Sequence, residues 1–169
     1  MHPDFITIAI FLFGLGMNIL AFSALEHGIG WPQLRFPAIL TRNLAASFVV
    51  VVVYFLFGFD LMYPDNDWGL WWPEPDWNLT FDCAIQCEFA LNSAILIFAT
   101  LSLRMKTPVI MICAGLYTLV TYSVFGRFHW GGGFLSDWAF QDYAGGIGIY
   151  ALGGSAAAGL GLAFRIPPA

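Results

Sequence analysis

The stretch Asp142-Tyr-Ala-Gly-Gly-Ile-Gly-Ile-Tyr-Ala-Leu-Gly-Gly-Ser-Ala-Ala-Ala-Gly-Leu-Gly161 decides the fold of this chain. After Asp142 it carries no charge for roughly twenty residues, which is about the length that crosses a bilayer as a helix. Seven glycines and five alanines within 144–161 predict a helix whose neighbours approach its backbone closely. Asp142 stands at the N-cap position, where its carboxylate would accept hydrogen bonds from the first free N–H groups. We therefore predict a tightly packed central membrane helix rather than one that faces lipid.

The composition of the whole chain agrees with a membrane location. Of its 169 residues 59% are hydrophobic and 10% are charged, and the mean hydropathy is +0.75. Soluble domains average about 25% charged residues. The composition therefore predicts an all-α integral membrane protein, a single domain over 1–169 embedded in the lipid bilayer. A net charge of −5 without a basic patch argues against binding to nucleic acid.

Five hydrophobic stretches predict five spans. The predicted ranges are about 5–25, 42–59, 83–103, 108–125 and 143–164. Pro108 suits the first turn of the fourth helix. No Lys or Arg precedes the first stretch, and Phe22 in Phe22-Ser23-Ala24 is too large for a cleavage site, so we expect the first stretch to be an uncleaved span.

The basic residues predict the orientation of the spans. One side of the predicted topology carries Arg35, Arg42, Arg104, Lys106 and Arg165, and the other side carries Arg127. Because Lys and Arg concentrate in cytoplasmic loops, this asymmetry predicts an outside N-terminus, periplasmic or equivalent, and a cytoplasmic C-terminus.

The loop over 60–82 is acidic and rich in tryptophan. It contains Asp60, Asp65, Asp67, Glu74, Asp76 and Asp82, interleaved with Trp68, Trp71, Trp72 and Trp77, and has no Lys or Arg. Three interpretations stay open for it. They are an interfacial aromatic belt, a docking surface for a protein partner, and a negative field that concentrates cations.

Polar residues inside the spans are few. Glu88 is the clearest, about one and a half turns into span three, with Asn92 one turn further along. A carboxylate in lipid is costly, so Glu88 either has a function facing protein or water, or lies near enough to the interface to be solvated.

The residues that bind metals or act as nucleophiles form no recognisable pattern. The histidines are His2, His27 and His129, and the cysteines are Cys83, Cys87 and Cys113. Neither set has the spacing of a metal site or a disulfide framework. We predict no enzymatic activity, no metal and no cofactor; a pigment- or haem-binding subunit is an alternative that an absorption spectrum would decide.

Several motifs give the chain a family resemblance. Asp142-Tyr143-Ala144-Gly145-Gly146, followed by Ile149, Gly153-Gly154 and Ala157, resembles the signature of the ammonium transporter (Amt/Rh) family, with Trp130-Gly-Gly-Gly at the family's spacing upstream. Arg42-Asn43 and Phe57-Gly58-Phe59 look like that family's second helix, and Gln86 followed by Phe89-Ala90 is similar to the start of its third. The family has eleven helices in two inverted five-helix halves, with conduction between them. The resemblance implies one such inverted repeat here.

The resemblance also implies roles for single residues. Trp130 and Asp142 resemble parts of the outer ammonium-recruitment site, where an aromatic ring attracts a cation. Phe89 resembles one of two stacked phenylalanines that gate the pore. Gln86 belongs with Glu88 and Asn92 among the intramembrane polar residues. The alternative is that Trp130 and Phe89 are ordinary interfacial and packing aromatics.

One departure from the family decides the functional hypothesis. The pore histidine, eight residues after the aspartate, is Tyr150 here, and a phenol keeps its proton near neutral pH, so it cannot relay protons as imidazole does. The family's second half, which supplies the other pore residues, has no counterpart in this sequence. We therefore expect an obligate protein partner or an oligomer that covers the helix over 143–164. The leading hypothesis is a non-conducting accessory or structural subunit of a larger membrane complex. The alternatives are ammonium transport together with a partner that supplies the second half, and ammonium sensing.

Overall fold

A computed structural model of the chain describes residues 3–28, 35–64, 77–102 and 105–164, and all regular structure in these ranges is helical. The α-helices are α1 (Pro3–Gly28), α2 (Phe36–Val53), α3 (Phe59–Met62), α4 (Trp77–Leu101), α5 (Thr107–Leu116), α6 (Ser123–His129), α7 (Phe134–Asp137) and α8 (Leu152–Ala163). π-Helical segments cover Tyr54–Gly58, Tyr117–Tyr122 and Gly146–Ala151, and a 3₁₀ turn covers Tyr143–Gly145.

Five stretches are long and apolar enough to cross a membrane. These spans are Ile8–Gly28, Phe36–Met62, Phe81–Leu101, Thr107–Asp137 and Tyr143–Ala163. They make the chain an integral membrane protein, and the prediction of an all-α protein with five spans is confirmed. Which end of the chain faces the cytoplasm stays a prediction.

Span two begins earlier than the sequence suggested. The prediction placed its start at Arg42, whereas α2 begins at Phe36 with Pro37 in its first turn, where proline is favoured. Arg42 and Asn43 therefore lie inside the helix, and both side chains are buried. A charge can lie there because the Arg42 guanidinium forms an ion pair with Glu26 of α1.

The centre of the described bundle is α4 rather than the glycine-rich span five, which corrects the prediction above. The core contains Cys87, Ala90, Leu91, Ala94, Ile97 and Phe98 of α4, and α1, α2, α5 and α8 surround them. Span three is the most buried of the five spans and span one the least. Span five packs one face against α4 and leaves its other face uncovered by the described residues.

The packed face of span five uses small residues, as the composition predicted. A Cβ atom at Gly153 would lie 2.4 Å from the backbone oxygen of Ser93, so this crossing requires glycine. The Ser93 hydroxyl donates to the carbonyl of Ile149 over 2.7 Å, which ties the same two helices together. The close approach therefore depends on one glycine and one hydroxyl at the centre of the crossing.

Candidate functional site

The start of span five is built around Asp142. Its carboxylate accepts hydrogen bonds from the backbone N–H groups of Ile147 over 2.9 Å and of Gly148 over 2.7 Å. The prediction placed Asp142 at the N-cap, but a 3₁₀ turn follows it, in which Ala144 and Gly145 have φ values of 56° and 70°. The helix therefore starts at Gly146, and the side chain reaches forward over this turn to the free N–H groups. The negative charge still lies at the positive end of the helix.

Trp130 belongs to a cluster of aromatic rings beside Asp142. Its ring centroid lies 4.6 Å from that of His129, 6.0 Å from that of Phe125 and 6.4 Å from that of Tyr122. Phe140 lies against His129 at 5.1 Å. We call Tyr122, Phe125, His129, Trp130 and Phe140 the aromatic cluster.

Gly148 is the point where the cluster and the carboxylate meet. A Cβ atom there would lie 2.7 Å from Phe125, 3.0 Å from Trp130 and 3.2 Å from the Asp142 carboxylate. The structure thus brings Trp130 and Asp142 together, the two residues that the resemblance assigns to recruitment. Aromatic faces beside a carboxylate can attract a cation, although two of the carboxylate's lone pairs are used by the helix N–H groups.

Gln86 links the cluster to span two. The Tyr122 hydroxyl donates to Gln86 Oε1 over 3.1 Å, and Gln86 Nε2 donates to the Tyr63 hydroxyl over 3.2 Å. Burial, with a contribution from the nearby Asp82 carboxylate, raises the pKa of Tyr63 to about 12. Tyr63 is therefore a neutral phenol at physiological pH, and its hydroxyl accepts the hydrogen bond from Gln86.

Neither Phe89 nor Tyr150 is a ring partner of the aromatic cluster within the part of the chain that the structure describes. Phe89 is half-buried against the core and has no aromatic ring partner among the residues that the structure describes. It lies one turn before Ser93 on α4, hence on the face that meets span five. Tyr150 is 57% exposed, on the uncovered face of span five. The structure does not bring the two predicted pore positions into contact.

Glu88 turns toward span one. Asn18 Nδ2 of α1 donates to Glu88 Oε2 over 2.8 Å, and the Glu88 side chain is half-buried. Of the two possibilities left open by the sequence, the contact favours a carboxylate that faces protein. Asn92, one turn further along α4, is half-buried as well.

A buried polar cluster was missed by the sequence analysis. Glu26 accepts from Arg42 over 3.2 Å and from Asn43 over 2.7 Å, Asn43 also donates to Ser23, and Arg42 donates to the carbonyl of Ser102. These groups join spans one, two and three at one end of the bundle. Pro37 was the available signal, since a helix that starts there carries Arg42 and Asn43 into the bundle, across from Glu26 at the end of span one.

The remaining candidates take no part in a site. Cys83 and Cys87 are free and buried, and Cys113 is free and half-buried. Within the described ranges no three residues of His, Cys, Asp or Glu form a group that could hold a metal ion. His2 and most of the acidic, tryptophan-rich loop over 60–82 lie outside the residues that the structure describes.

Comparison with known proteins assigns the family. A family model described as Ammonium Transporter Family matches residues 6–168. A Synechocystis sp. protein assigned by name to the ammonium transporters is 29% identical over 80% of this chain and 34% of its own length. Ammonium transporter Amt2 of Haloferax mediterranei is 28% identical over 76% of this chain and 31% of its own length. Ammonium transporter 3 member 1 of Oryza sativa subsp. japonica is 33% identical over 57% of this chain and 19% of its own length.

The chain therefore spans about a third or less of the length of these curated relatives. No solved structure matches it significantly. The family match covers nearly all of the described spans, and the resemblance carried by the Asp142 and Trp130 motifs is confirmed. This chain belongs to the ammonium transporter family.

Proposed function

We propose that this chain is an accessory subunit that forms one wall of a larger membrane assembly and conducts no ammonium by itself. The observation that carries the proposal is the exposure of Tyr150 on the uncovered face of span five. Tyr150 is the residue that the resemblance aligns with the family's pore histidine. A conduction path must be enclosed by protein on all sides, because lipid satisfies no polar group. One wall that is open on its pore side does not enclose such a path.

The residue at this position also supports a non-conducting role. A tyrosine hydroxyl can donate and accept a hydrogen bond, but it does not exchange its proton near neutral pH as imidazole does. A path that depended on proton transfer at this point would stop at Tyr150. We keep the outside N-terminus and cytoplasmic C-terminus as part of the proposal, on the distribution of Lys and Arg.

Reconstitution in liposomes tests the proposal. The purified chain should take up no more methylammonium than protein-free liposomes do. A saturable uptake that is lost in Phe89→Ala or Trp130→Ala would contradict the proposal. Trp138→Ala is the matched control, because Trp138 is an exposed tryptophan outside the aromatic cluster.

A second candidate function is ammonium transport in complex with a partner that supplies the rest of the pore. It is favoured by the geometry at Gly148, where Trp130, Phe125 and the Asp142 carboxylate converge. Assemblies purified in mild detergent and identified by mass spectrometry would provide the material. If transport is the function, the assembly should carry ammonium current, and Trp130→Ala should reduce that current at low ammonium. If the assembly carries no ammonium current, the accessory role is the candidate function that remains.

A further inference from the structure

An apolar groove lies between span two and span four. Its volume is about 510 Å³, within the roughly 300–1,000 Å³ of sites that bind small molecules. All of its lining residues are apolar, and they include Val49, Val53 and Phe57 of span two and Pro108, Gly115 and Leu119 of span four. The two spans are in close contact at Gly115, where a Cβ atom would lie 3.1 Å from the Val49 side chain. The groove therefore has a floor of protein.

The two spans that form the groove run in the same direction. Beyond the contact at Gly115, a Cβ atom at Gly58 would lie 2.8 Å from Ser123 Oγ. Both spans have advanced by about two turns between these contacts, so α2 and α5 begin at the same end of the bundle. Their N-cap residues are Arg35 and Lys106, and both side chains are exposed. Two cationic residues thus lie at the end where the groove begins.

The length of the groove matches one leaflet of a bilayer. From Pro108 to Leu119 it runs about 16 Å along the helix axis. The hydrocarbon core of a bilayer is about 30 Å thick, so one leaflet contributes about 15 Å. The close contact of Gly58 with Ser123 lies just beyond the groove and limits it at the centre of the bundle. A groove of this length fits an acyl chain of one leaflet better than a helix that crosses both.

The charges at the start of the groove select the head group of the lipid. Lys106 lies two residues before Pro108, where the groove begins. Basic residues near the membrane surface attract anionic lipids, which are concentrated in the cytoplasmic leaflet. On the orientation proposed above, Lys106 and Arg35 face this leaflet. We propose that the groove binds one acyl chain of an anionic phospholipid, whose phosphate group lies at Lys106 and Arg35.

The lipid site is separate from the proposed function. The groove lies between α2 and α5, and its lining includes no residue of the aromatic cluster, neither Asp142 nor Tyr150. Lipid binding can therefore be present or absent whether or not the chain takes part in ammonium conduction.

The test is native mass spectrometry of the full chain in a mild detergent. The chain is titrated with dioleoylphosphatidylglycerol or dioleoylphosphatidylcholine, and the dissociation constant of the first bound lipid is measured for each. We expect phosphatidylglycerol to bind at least tenfold more tightly than phosphatidylcholine. Lys106→Gln should weaken the binding of phosphatidylglycerol about fivefold, because one cationic contact is lost.

A second variant tests the groove itself. Val53→Trp fills the space for the acyl chain and should weaken the binding of phosphatidylglycerol at least tenfold. Val120→Trp is the matched control and should bind as the unmodified chain does, because Val120 is 59% exposed and does not line the groove. If Val53→Trp fails to fold, Lys106→Gln still tests the proposal, since its side chain is exposed.

Three results would overturn the proposal. The first is equal affinity of the unmodified chain for the two lipids. The second is an unchanged dissociation constant for phosphatidylglycerol in Lys106→Gln or in a folded Val53→Trp. The third is a dimer of the chain that Val53→Trp dissociates without a change in lipid binding, which would assign the groove to a second copy.

Discussion

Individual residues after Asp142 determine the conformation at the start of span five. Asp142 was expected to cap the helix directly, but Ala144 and Gly145 insert a left-handed turn between the acid and the helix. The sequence predicted the acid and its role at the helix end. It could not predict the longer reach, because the positive φ of Ala144 is an exception to the usual preference of alanine. The sequence did not distinguish Gly148 from the other glycines of span five. Its close contact with aromatic rings of the neighbouring helices is visible only in the structure.

Asp142→Ala should weaken the start of span five by about 1–2 kcal/mol, because the N–H groups of Ile147 and Gly148 lose their acceptor. Amide hydrogen exchange at these two residues is the measurement, and we expect it to accelerate by roughly fivefold or more. Asp137→Ala is the control, since Asp137 is exposed on α7 and makes neither bond. Unchanged exchange at both amides would show that the carboxylate does not hold the helix start.

Gly148→Ala should destabilise the chain by about 1–3 kcal/mol, because the new methyl group would lie 2.7 Å from Phe125 and force the aromatic cluster to move. Gly154→Ala is the matched control on the same span, where a Cβ atom meets nothing within 4 Å. The control should be neutral or slightly stabilising, since alanine favours a helix over glycine by about 1 kcal/mol. Thermal unfolding in detergent compares the two variants. Equal midpoints for both would contradict the prediction.

At the scale of helices, the sequence predicted the number of spans but not their relative importance. Hydrophobic stretches and Pro108 located five helices, since the lengths follow from the thickness of a bilayer. The start of α2 was placed too late, because Arg42 was read as a charge that must lie outside the span. Its partner Glu26 lies on another helix, and a pairing across helices leaves no periodic pattern in the sequence. The burial of α4 was equally hidden, because it depends on the arrangement of its neighbours.

Glu26→Gln should cost about 3–5 kcal/mol, because it leaves the buried Arg42 guanidinium without its anionic partner. Unfolding by sodium dodecyl sulphate, followed by circular dichroism, would measure the loss. The double variant Glu26→Gln with Arg42→Met should recover a large part of it, since the unpaired charge is then removed. Lys106→Gln, at an exposed basic residue, is the control for a simple loss of charge. A double variant no more stable than Glu26→Gln alone would show that the ion pair is not the source of the cost.

At the scale of the whole molecule, the two faces of span five differ in what they contact. Gly153 and Gly161 approach α4 closely, whereas Gly154 and Gly159 have open space where a side chain would lie. On the same uncovered face, Leu162 is 81% exposed. Small residues that face nothing within the described bundle are typical of a surface where another helix packs. A partner on this face stays a prediction from the sequence, which could not separate the glycines that pack against α4 from those that face open space.

Cysteine cross-linking in native membranes distinguishes a covered face from one that faces lipid. In a Cys113→Ser background, we expect Ser155→Cys and Leu162→Cys to form cross-linked species with an oxidant or a short bifunctional reagent, because our proposal places protein against this face. Phe48→Cys is the control, since Phe48 is 68% exposed on span two, away from span five. Cross-links from span five with none from Phe48→Cys would support an assembly that completes the wall at Tyr150. If none of the three variants forms a cross-link, the small residues of this face contact lipid. The accessory role would then lose its structural basis.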